Sequence, residues 1–535
     1  MPNKPQAESS ALSLPVFRLL WLANLGSGIG ATMHDTAAVW TLAELSGKAW
    51  VVTLYQALLS FPLFLFALPS GAFADIVDKR RLMFWVQIVG FFTASLLGFL
   101  AFVGWASVPV LLGGAFLLGA TLAFGFPAWQ ASIPEMVGKD LLPSAITLGG
   151  VGINVSRAVG PFLGGYLVAW VGPFPVFLVN ALSFLGLAYA LHRWQRPEPE
   201  ARPHAETVVG AMIAALRHVR YTRSIQRVYV RHGLFVFAGF APVALLPMIV
   251  RALGLPASEF GLLMGVYGGG GIFSALVILP RLKSWLSVDA ISAGSGILSA
   301  ASMALLPFCG DTPSLALALF LGGSAWLIGM SQMAVSGQRV FPHWVRARAS
   351  AIQMLVVQGM IAVGSVLWGA LTESFGVSIA LWLAGFTSLI HVAAVGALRI
   401  DQALNRDLSP VASDHQHDGL HFVPEADDGP VRVSVRYRVH PEDEAAFISA
   451  VAALRDSRLR DGAFRWHLWR DLETPNSFDE AFLVGSWEEH LRQAERMNAL
   501  TREIEARVQA VHRGERGPRV SHAIHVEPGP LACVI

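Results

Sequence analysis

Long apolar runs alternate with short polar connections through residues 1–400, and this alternation predicts the architecture. A helix rises about 1.5 Å per residue, so about 20 apolar residues cross the hydrocarbon core of a bilayer. We number the runs that meet this requirement spans 1 to 12: Val16–Trp40, Trp50–Ala74, Leu82–Val103, Val108–Ser132, Ile146–Trp170, Phe174–Leu191, Val228–Val250, Glu259–Leu279, Trp285–Phe308, Ser314–Val335, Ala349–Leu371 and Val377–Leu398. The pattern therefore predicts an all-α membrane protein with twelve spans.

Basic residues are concentrated in every second connection. One set carries Lys79, Arg80, Arg81, Lys139, eight arginines between Arg193 and Arg231, Arg281, Lys283, Arg339, Arg346 and Arg348, whereas the other carries only Lys48 and Arg251. Basic connections stay in the cytoplasm, so we predict that both termini are cytoplasmic. The polar start, Met1–Ser13, lacks the apolar core of a removable signal peptide.

The long connection after span 6 divides the spans into two groups of six. It contains three prolines and then the amphipathic run Thr207–Arg220, which we predict to lie on the membrane surface. Two groups of six spans are typical of transporters with two pseudo-symmetric halves. The predicted segments are the N-terminal half 1–195, the central connection 196–227, the C-terminal half 228–400, a linker 401–429, a soluble module 430–527 and a tail 528–535.

Residues after 430 have the patterns of a small α+β module. Val431–Val439 alternates apolar and polar residues as a half-buried strand does, and Pro441–Arg455 has helical spacing. Further strands are predicted at Phe464–Arg470, Ala481–Trp487 and His522–Val526, and a helix at Glu488–His512. The order β-α-β-β-α-β predicts a ferredoxin-like fold.

The connection between spans 2 and 3 resembles the signature loop of the major facilitator superfamily. Its pattern is G-x-x-x-D-x-x-x-[KR]-R-[KR], carried by Gly71, Asp75, Lys79, Arg80 and Arg81. Asp78 stands where that family usually has glycine, and we expect it to preserve the tight turn, since Asp tolerates left-handed backbone. The resemblance implies a cytoplasmic gate motif. The alternative is that these charges only set the topology.

Span 5 contains Gly160-Pro161-Phe162-Leu163-Gly164-Gly165, which resembles the G-P-x-x-G-G "antiporter" motif of exporters. The glycines allow another helix to approach closely, which ordinary packing also explains. Packing does not explain Arg157, because a charge at mid-bilayer costs at least about 2.5–3.5 kcal/mol. We predict that Arg157 pairs with Asp35 of span 1, either in a proton- or substrate-linked network or as a structural ion pair. Further cavity candidates are His34, Gln130 and Asn154.

The run Ser486-Trp487-Glu488-Glu489-His490-Leu491-Arg492-Gln493 resembles the tail of the transmembrane secretion effector family, the branch that includes enterobactin-type siderophore exporters. The module is also similar to small α/β-barrel domains related to antibiotic-biosynthesis monooxygenases, which implies a homodimer through this module. It lacks the first-strand Asn that catalytic relatives often use, because Val431–Val439 contains none.

Composition narrows the functions further. The chain is 54% hydrophobic and 14% charged, with a net charge of +2 that gives no reason to expect nucleic acid as a partner. Two cysteines, Cys309 and Cys533, form no disulfide framework or metal set, and we expect neither a metal nor another cofactor.

These observations together predict a transporter of the bacterial inner (plasma) membrane whose partners are lipid, protons and a small-molecule substrate. The sequence contains no phosphate-binding loop for ATP hydrolysis, so we expect a proton-coupled exporter of a siderophore, drug or secondary metabolite. The alternative is a membrane-tethered enzyme or sensor whose activity lies in the module.

Overall fold

The computed structural model describes residues 10–66, 77–195, 208–342, 344–401, 407, 409, 411, 422, 424–514 and 517–526. Its contacts divide the chain into two compact units. The first unit comprises Met1–Ala205, Tyr229–Val335 and Ala351–Arg399. The second unit comprises Glu206–Val228, Ser336–Ser350 and Ile400–Ile535.

The helices of the N-terminal half follow the predicted spans. They are α1 Pro15–Ser46, α2 Ala49–Leu65, α3 Lys79–Phe102, α4 Val108–Val171 and α5 Pro173–Arg193. The long helix α4 is interrupted at Gly138, whose φ of 73° and ψ of 178° are not helical. Glycine adopts this backbone without a Cβ clash. The break separates span 4 from span 5.

After the connecting helix α6 Val208–Arg220, the helices of the C-terminal half are α7 Arg223–Gly239, α8 Ala241–Ala252, α9 Ala257–Phe273, α10 Leu279–Leu282, α11 Val288–Leu305, α12 Thr312–Val340, α13 Arg346–Phe375 and α14 Val377–Ala397. Span 7 covers α7 and α8. A π-helical turn, Ser274–Ile278, joins α9 to α10.

The described ranges contain nine helices that are long and apolar enough to cross a membrane. The three other predicted spans fall on α1, on the 17-residue α2 and on the part of α4 after Gly138. The finding establishes a mostly helical chain with multiple membrane-capable helices. The count of twelve stays a prediction.

The two ends of the helical unit differ in their connections. At one end, called here the short-loop end, only a few residues join each pair of helices, as at Gly47–Lys48 between α1 and α2 and at Gly172 between α4 and α5. At the other end, called the basic end, lie the connections that carry Lys79, Arg80 and Arg193.

The soluble module in the second unit has four antiparallel strands in the order β2-β3-β1-β4. The elements are β1 Val431–Arg438, α15 Glu444–Asp461, β2 Phe464–Arg470, β3 Ser477–Val484, α16 Trp487–Glu495, α17 Ala499–Ala510 and β4 Arg519–Ile524. In register, Val431 faces Val484 on β3 and Ile524 on β4. The elements occur in the predicted β-α-β-β-α-β order.

Several predicted boundaries in the module were wrong, and β4 spans Arg519–Ile524 instead of His522–Val526. Strand β3 begins at Ser477 and ends at Val484, before the predicted limit at Trp487, because Ser486 caps a helix there by accepting a hydrogen bond from the Glu489 amide. The predicted helix Glu488–His512 is two helices, since Asn498 accepts from the Thr501 amide and starts α17.

The interior of the module contains charge as well as apolar side chains. Glu480 is fully buried and accepts hydrogen bonds from the Tyr437 hydroxyl at 2.9 Å and the Trp466 indole at 2.8 Å. Arg458 lies 3.7 Å from Glu480 and 2.8 Å from Glu505. Burial works against the charge of Arg458, but the two carboxylates outweigh it and raise the pKa of the guanidinium. The guanidinium of Arg458 therefore pairs with two buried carboxylates, those of Glu480 and Glu505.

We predict that Arg458→Met destabilises the module by about 3–5 kcal/mol, because it leaves Glu480 and Glu505 buried without a cation. Hydrogen exchange of strand β1 in the full chain measures this loss. The control is Arg436→Met, which removes an exposed ion pair with Asp479 and should cost no more than about 1 kcal/mol. Equal losses in the two variants would contradict a special role for the buried cluster.

Candidate functional site

The gate-like motif between spans 2 and 3 is described only from Val77 onward, so Gly71 and Asp75 lie outside the described residues. Asp78 does not adopt the left-handed backbone that we expected, since its φ is −56°. Its carboxylate instead accepts a hydrogen bond from the Arg81 amide at 2.8 Å and caps α3. The departure from glycine thus supplies a helix N-cap.

Two basic side chains of the motif, Lys79 and Arg80, bind α3 to the neighbouring helices α4 and α5 at the basic end. Lys79 forms an ion pair at 2.8 Å with Glu135, which lies in α4 just after span 4. Arg80 donates to the Leu191 carbonyl at 2.9 Å and to the His192 carbonyl at 2.7 Å. These carbonyls belong to the last turn of α5, where helix acceptors have no partner in their own helix. Arg80 therefore caps span 6.

The C-terminal half contains a similar arrangement that we did not predict. Arg231 of span 7, fully buried, lies 2.5 Å from Asp289 of span 9 and donates at 3.3 Å to the carbonyl of Leu398, the last residue of span 12. The sequence signal was available: two opposite charges stand inside predicted spans, each near the basic end. We had counted Arg231 only as a topology signal.

The small residues of span 5 pack directly on span 1. A Cβ added to Gly164 would lie 2.8 Å from the Met33 carbonyl oxygen, and one added to Gly160 would overlap Thr32. The Thr32 hydroxyl also donates to the Ser156 carbonyl at 2.8 Å. The glycines of span 5 were predicted to allow another helix to approach closely, and that helix is span 1.

The other side of span 5 packs on span 8 of the opposite half. A Cβ on Gly165 would lie 2.6 Å from the Gly261 Cα, and a Cβ on Gly261 would lie 2.6 Å from the Pro161 carbonyl oxygen. Trp40 of span 1 stacks on Phe260 of span 8 with ring centroids 5.7 Å apart. These contacts bring the two halves together in the part of span 5 that leads to the short-loop end.

Spans 2 and 11 form a second contact between the halves at that end. The Ala49 amide donates to Glu373 at 3.1 Å. A Cβ on Gly369 would lie 2.9 Å from the Trp50 Cα. Both contacts lie beside short connections, so the halves pack tightly at the short-loop end.

Asp35 lies in span 1 as an isolated acid among apolar residues. Its carboxylate is partly buried and accepts a hydrogen bond from the Tyr55 hydroxyl of span 2 at 2.8 Å. Tyr55 is itself 1% exposed. Among the residues that the structure describes, Asp35 forms no ion pair with a cation.

The described residues contain no ion pair between Asp35 and Arg157 in this conformation. The side chain of Arg157 is exposed, and a Cβ added to Gly268 of span 8 would lie 3.1 Å from the Arg157 carbonyl oxygen. Periodicity placed Arg157 correctly inside span 5 but could not tell which neighbouring helix its long side chain would reach. Tyr55 is the partner of Asp35 that the sequence did not indicate.

The three other cavity candidates are dispersed. His34 is buried with its ring 4.4 Å from that of Phe177, and neither ring nitrogen has a hydrogen-bond partner in the described part of the chain. Asn154 is partly buried and donates to the Gly150 carbonyl of its own helix at 2.9 Å. Gln130 is exposed near the basic end of span 4. The structure groups none of them with Asp35 through a hydrogen bond.

Comparison with known proteins gives consistent results. Residues 7–529 match the family described as transmembrane secretion effector. The staphyloferrin A transporter of Staphylococcus aureus (strain NCTC 8325 / PS 47) is 25% identical over 59% of this chain and 79% of its own length. The multidrug efflux pump Tap of Mycobacterium tuberculosis (strain CDC 1551 / Oshkosh) is 23% identical over 74% and 96%.

The fold has solved counterparts. A bacterial homologue of the human lysosomal transporter Spinster, in an inward-facing and unoccupied conformation, superposes with a TM-score of 0.60 at 14% identity, covering 76% of this chain and all of that one. Together with the family match over nearly the whole sequence, the nine membrane-capable helices in the described ranges identify a multi-pass membrane protein. The chain belongs to the transmembrane secretion effector family of the major facilitator superfamily of transporters.

Proposed function

We propose that this protein is a proton-coupled exporter of a small molecule, located in the inner membrane of a bacterial-type cell with its basic end in the cytoplasm. The relatives named as a siderophore transporter and a multidrug efflux pump support a siderophore, a drug or a secondary metabolite as substrate. The excess of bases at one end supports the orientation.

Export would proceed by alternating access, in which the two six-helix halves rock about a central site. The contacts between spans 5 and 8 and between spans 2 and 11 support this, because they would close the short-loop end in the present conformation. Between spans 5 and 8, the backbones of Gly165 and Gly261 touch directly. Opening toward the periplasm would require these contacts to separate.

The environment of Asp35 is the observation that supports proton coupling. It is an acid inside an apolar span, held by the Tyr55 hydroxyl and without a cation among the described residues. A carboxylate in this situation gains by taking up a proton, because burial penalises its charged form. In another conformation, approach of Arg157 would favour the charged form and release the proton.

Arg157 is suited to be that mobile cation. Its helix already contacts span 1 through Gly160 and Gly164. Its backbone lies against span 8 of the opposite half, where a Cβ added to Gly268 would be 3.1 Å from the Arg157 carbonyl oxygen. Rocking of the halves changes the contact between span 5 and span 8. Arg157 would approach Asp35 while the basic end is open and release the proton to the cytoplasm. It would leave Asp35 as the short-loop end opens, so that Asp35 takes up the next proton from the periplasm.

The bases of the signature-like loop would hold the N-terminal half rigid at the cytoplasmic end while this happens. Lys79 and Arg80 join span 3 to spans 4 and 6 within the same half, so they support a body that moves as a unit. Asp75 and Gly71 would complete the gate, as the resemblance implies.

We predict that Asp35→Asn abolishes gradient-driven transport while allowing substrate binding or exchange, because asparagine keeps the shape and loses the titratable group. Transport into inverted vesicles with an imposed proton gradient measures the first property, and counterflow without a gradient measures the second. Tyr55→Phe, which removes the hydrogen bond to Asp35, should shift the pH profile of transport and keep its direction.

The matched control is Glu44→Gln in the same helix, since Glu44 accepts a hydrogen bond from Trp40 near the short-loop end and has no role in the proposed coupling. It should transport at a rate near that of the wild type. If Asp35→Asn transports with an unchanged pH profile at equal membrane abundance, Asp35 does not carry the proton.

A second prediction concerns closure. Gly165→Ala introduces a Cβ about 2.6 Å from span 8 backbone, so the short-loop end should no longer close and transport should fall by at least about tenfold. Gly186→Ala in span 6 is the control, because nothing lies within 4 Å of its added Cβ. Labelling of cysteines introduced beside Gly165 and Gly261 should increase in the first variant. Equal flux in both variants would contradict the closure.

A further inference from the structure

Three stretches that are far apart in the sequence meet in the second unit. They are Arg217–His218 at the end of α6, Trp344 between α12 and α13, and a surface of the soluble module formed by Asp461, Gly462, Glu489 and Arg496. We call this surface the clamp surface. The last turn of α6 packs on the module through Arg217. The location of the amphipathic run on the membrane surface stays a prediction.

Arg217 binds the module with its charged end. Its guanidinium donates to the Gly462 carbonyl at 2.8 Å and lies 4.0 Å from Glu489. Gly462 has a φ of 132°, which glycine alone adopts without strain, and a Cβ there would lie 2.8 Å from Glu489. The turn after α15 is therefore shaped to leave this carbonyl open to Arg217.

Trp344 is the anchor from the other connection. The guanidinium of Arg496 lies over its ring at 4.6 Å, within the range of a cation–π contact. The ring of His218 meets Trp344 edge to face, with centroids 5.1 Å apart. Trp344 thus contacts both the module and α6, so it joins all three stretches.

Arg496 is fixed before it meets Trp344. It donates to the Asp461 carbonyl at 2.8 Å and forms an ion pair with Glu489 at 2.7 Å, and its side chain is only 5% exposed. A buried arginine held in this way presents a fixed planar face, which a flexible lysine does not. The clamp surface is therefore a preformed site on the module.

His218 lies among charged side chains in this contact. It is buried beside Trp344, with the cations Arg460 and Arg496 and the anion Asp461 nearby. Burial first, and then the charge of Arg460, lower the pKa of His218 to about 3. The ring is uncharged at neutral pH, so it adds no third positive charge to the contact.

The docked stretches lead directly into membrane helices of the C-terminal half. Helix α6 ends at Arg220 and α7, the start of span 7, begins at Arg223, while Gln226 of α7 donates to the Val219 and Arg220 carbonyls. Trp344 lies between α12, which includes span 10, and α13, which includes span 11. Movement of any of these spans during a transport cycle would act on the clamp surface.

We propose that the soluble module is an intramolecular clamp, whose partners are the central connection and the connection between spans 10 and 11 of the same chain. Because one surface of the module binds both connections, the module restrains spans 7, 10 and 11 at their cytoplasmic ends. This role needs no catalysis by the module and is independent of the nature of the transported molecule.

The test is hydrogen exchange of the purified full chain in lipid nanodiscs, followed on peptides that cover Val208–Arg220. Trp344→Ala removes the anchor, and Arg496→Lys keeps the charge while removing the planar face over Trp344. In both variants the amides of α6 should exchange about tenfold faster or more than in the wild type. Arg217→Ala should have an effect of the same sign.

Two controls make the result decisive. Arg436→Ala removes an exposed ion pair elsewhere on the module and should leave α6 unchanged. Protection of strand β1 reports whether the module is still folded. Trp344 lies outside the module, so Trp344→Ala decides the question even if Arg496→Lys unfolds it. If α6 exchanges at the wild-type rate in Trp344→Ala while β1 stays protected, the clamp does not exist.

Discussion

The closeness of span 5 to spans 1 and 8 is the constraint on which the helical unit depends. Gly160 and Gly164 leave no room for a Cβ against span 1, and Gly165 leaves none against Gly261 of the opposite half. In lipid, helices gain little from burying apolar side chains, so close packing of backbones provides much of the association. The contact between the halves at Gly165 and Gly261 is made by backbone atoms, so it separates without rearranging side chains there, which suits an interface that must open and close.

Charge has a different task at each end of the helices. At the basic end, Arg80 and Arg231 satisfy the terminal carbonyls of spans 6 and 12, one in each half. These contacts stay within a half and therefore oppose no movement between halves. Asp35 is different, because its partner in this conformation is the neutral Tyr55. An acid with an exchangeable partner can change its protonation as the protein moves, whereas the buried pair of Arg231 and Asp289 is fixed within its half.

The sequence predicted the membrane helices and the order of elements in the module, because both follow from periodicity and hydropathy. It also predicted the close packing of span 5, since glycines at every fourth position have few other uses in a membrane helix. It failed where the answer depended on the direction of a side chain or on a distant segment. The pairing of Arg157 with Asp35 needed a choice among neighbouring helices that spacing cannot make. The docking of α6 needed Trp344 and Arg496, which lie more than a hundred residues away.

Local capping explains the smaller differences. Asp78 and Asn498 each start a helix by accepting a backbone hydrogen bond three residues on, and both signals were visible in the sequence. The family pattern places glycine at position 78, and for that reason we predicted a tight turn there instead of a helix N-cap. At Asp78 the capping preference of the residue itself was the better guide.

Uphill transport in inverted membrane vesicles measures export and proton coupling in one experiment. Vesicles that contain the protein are supplied with candidate siderophores and drugs, with a proton gradient and after its collapse by an ionophore. We expect at least one substrate to accumulate inside only while the gradient, acidic inside, is present, and its accumulation to acidify the outer medium. Accumulation that persists without the gradient, or uptake with no proton movement, would contradict a proton-coupled exporter.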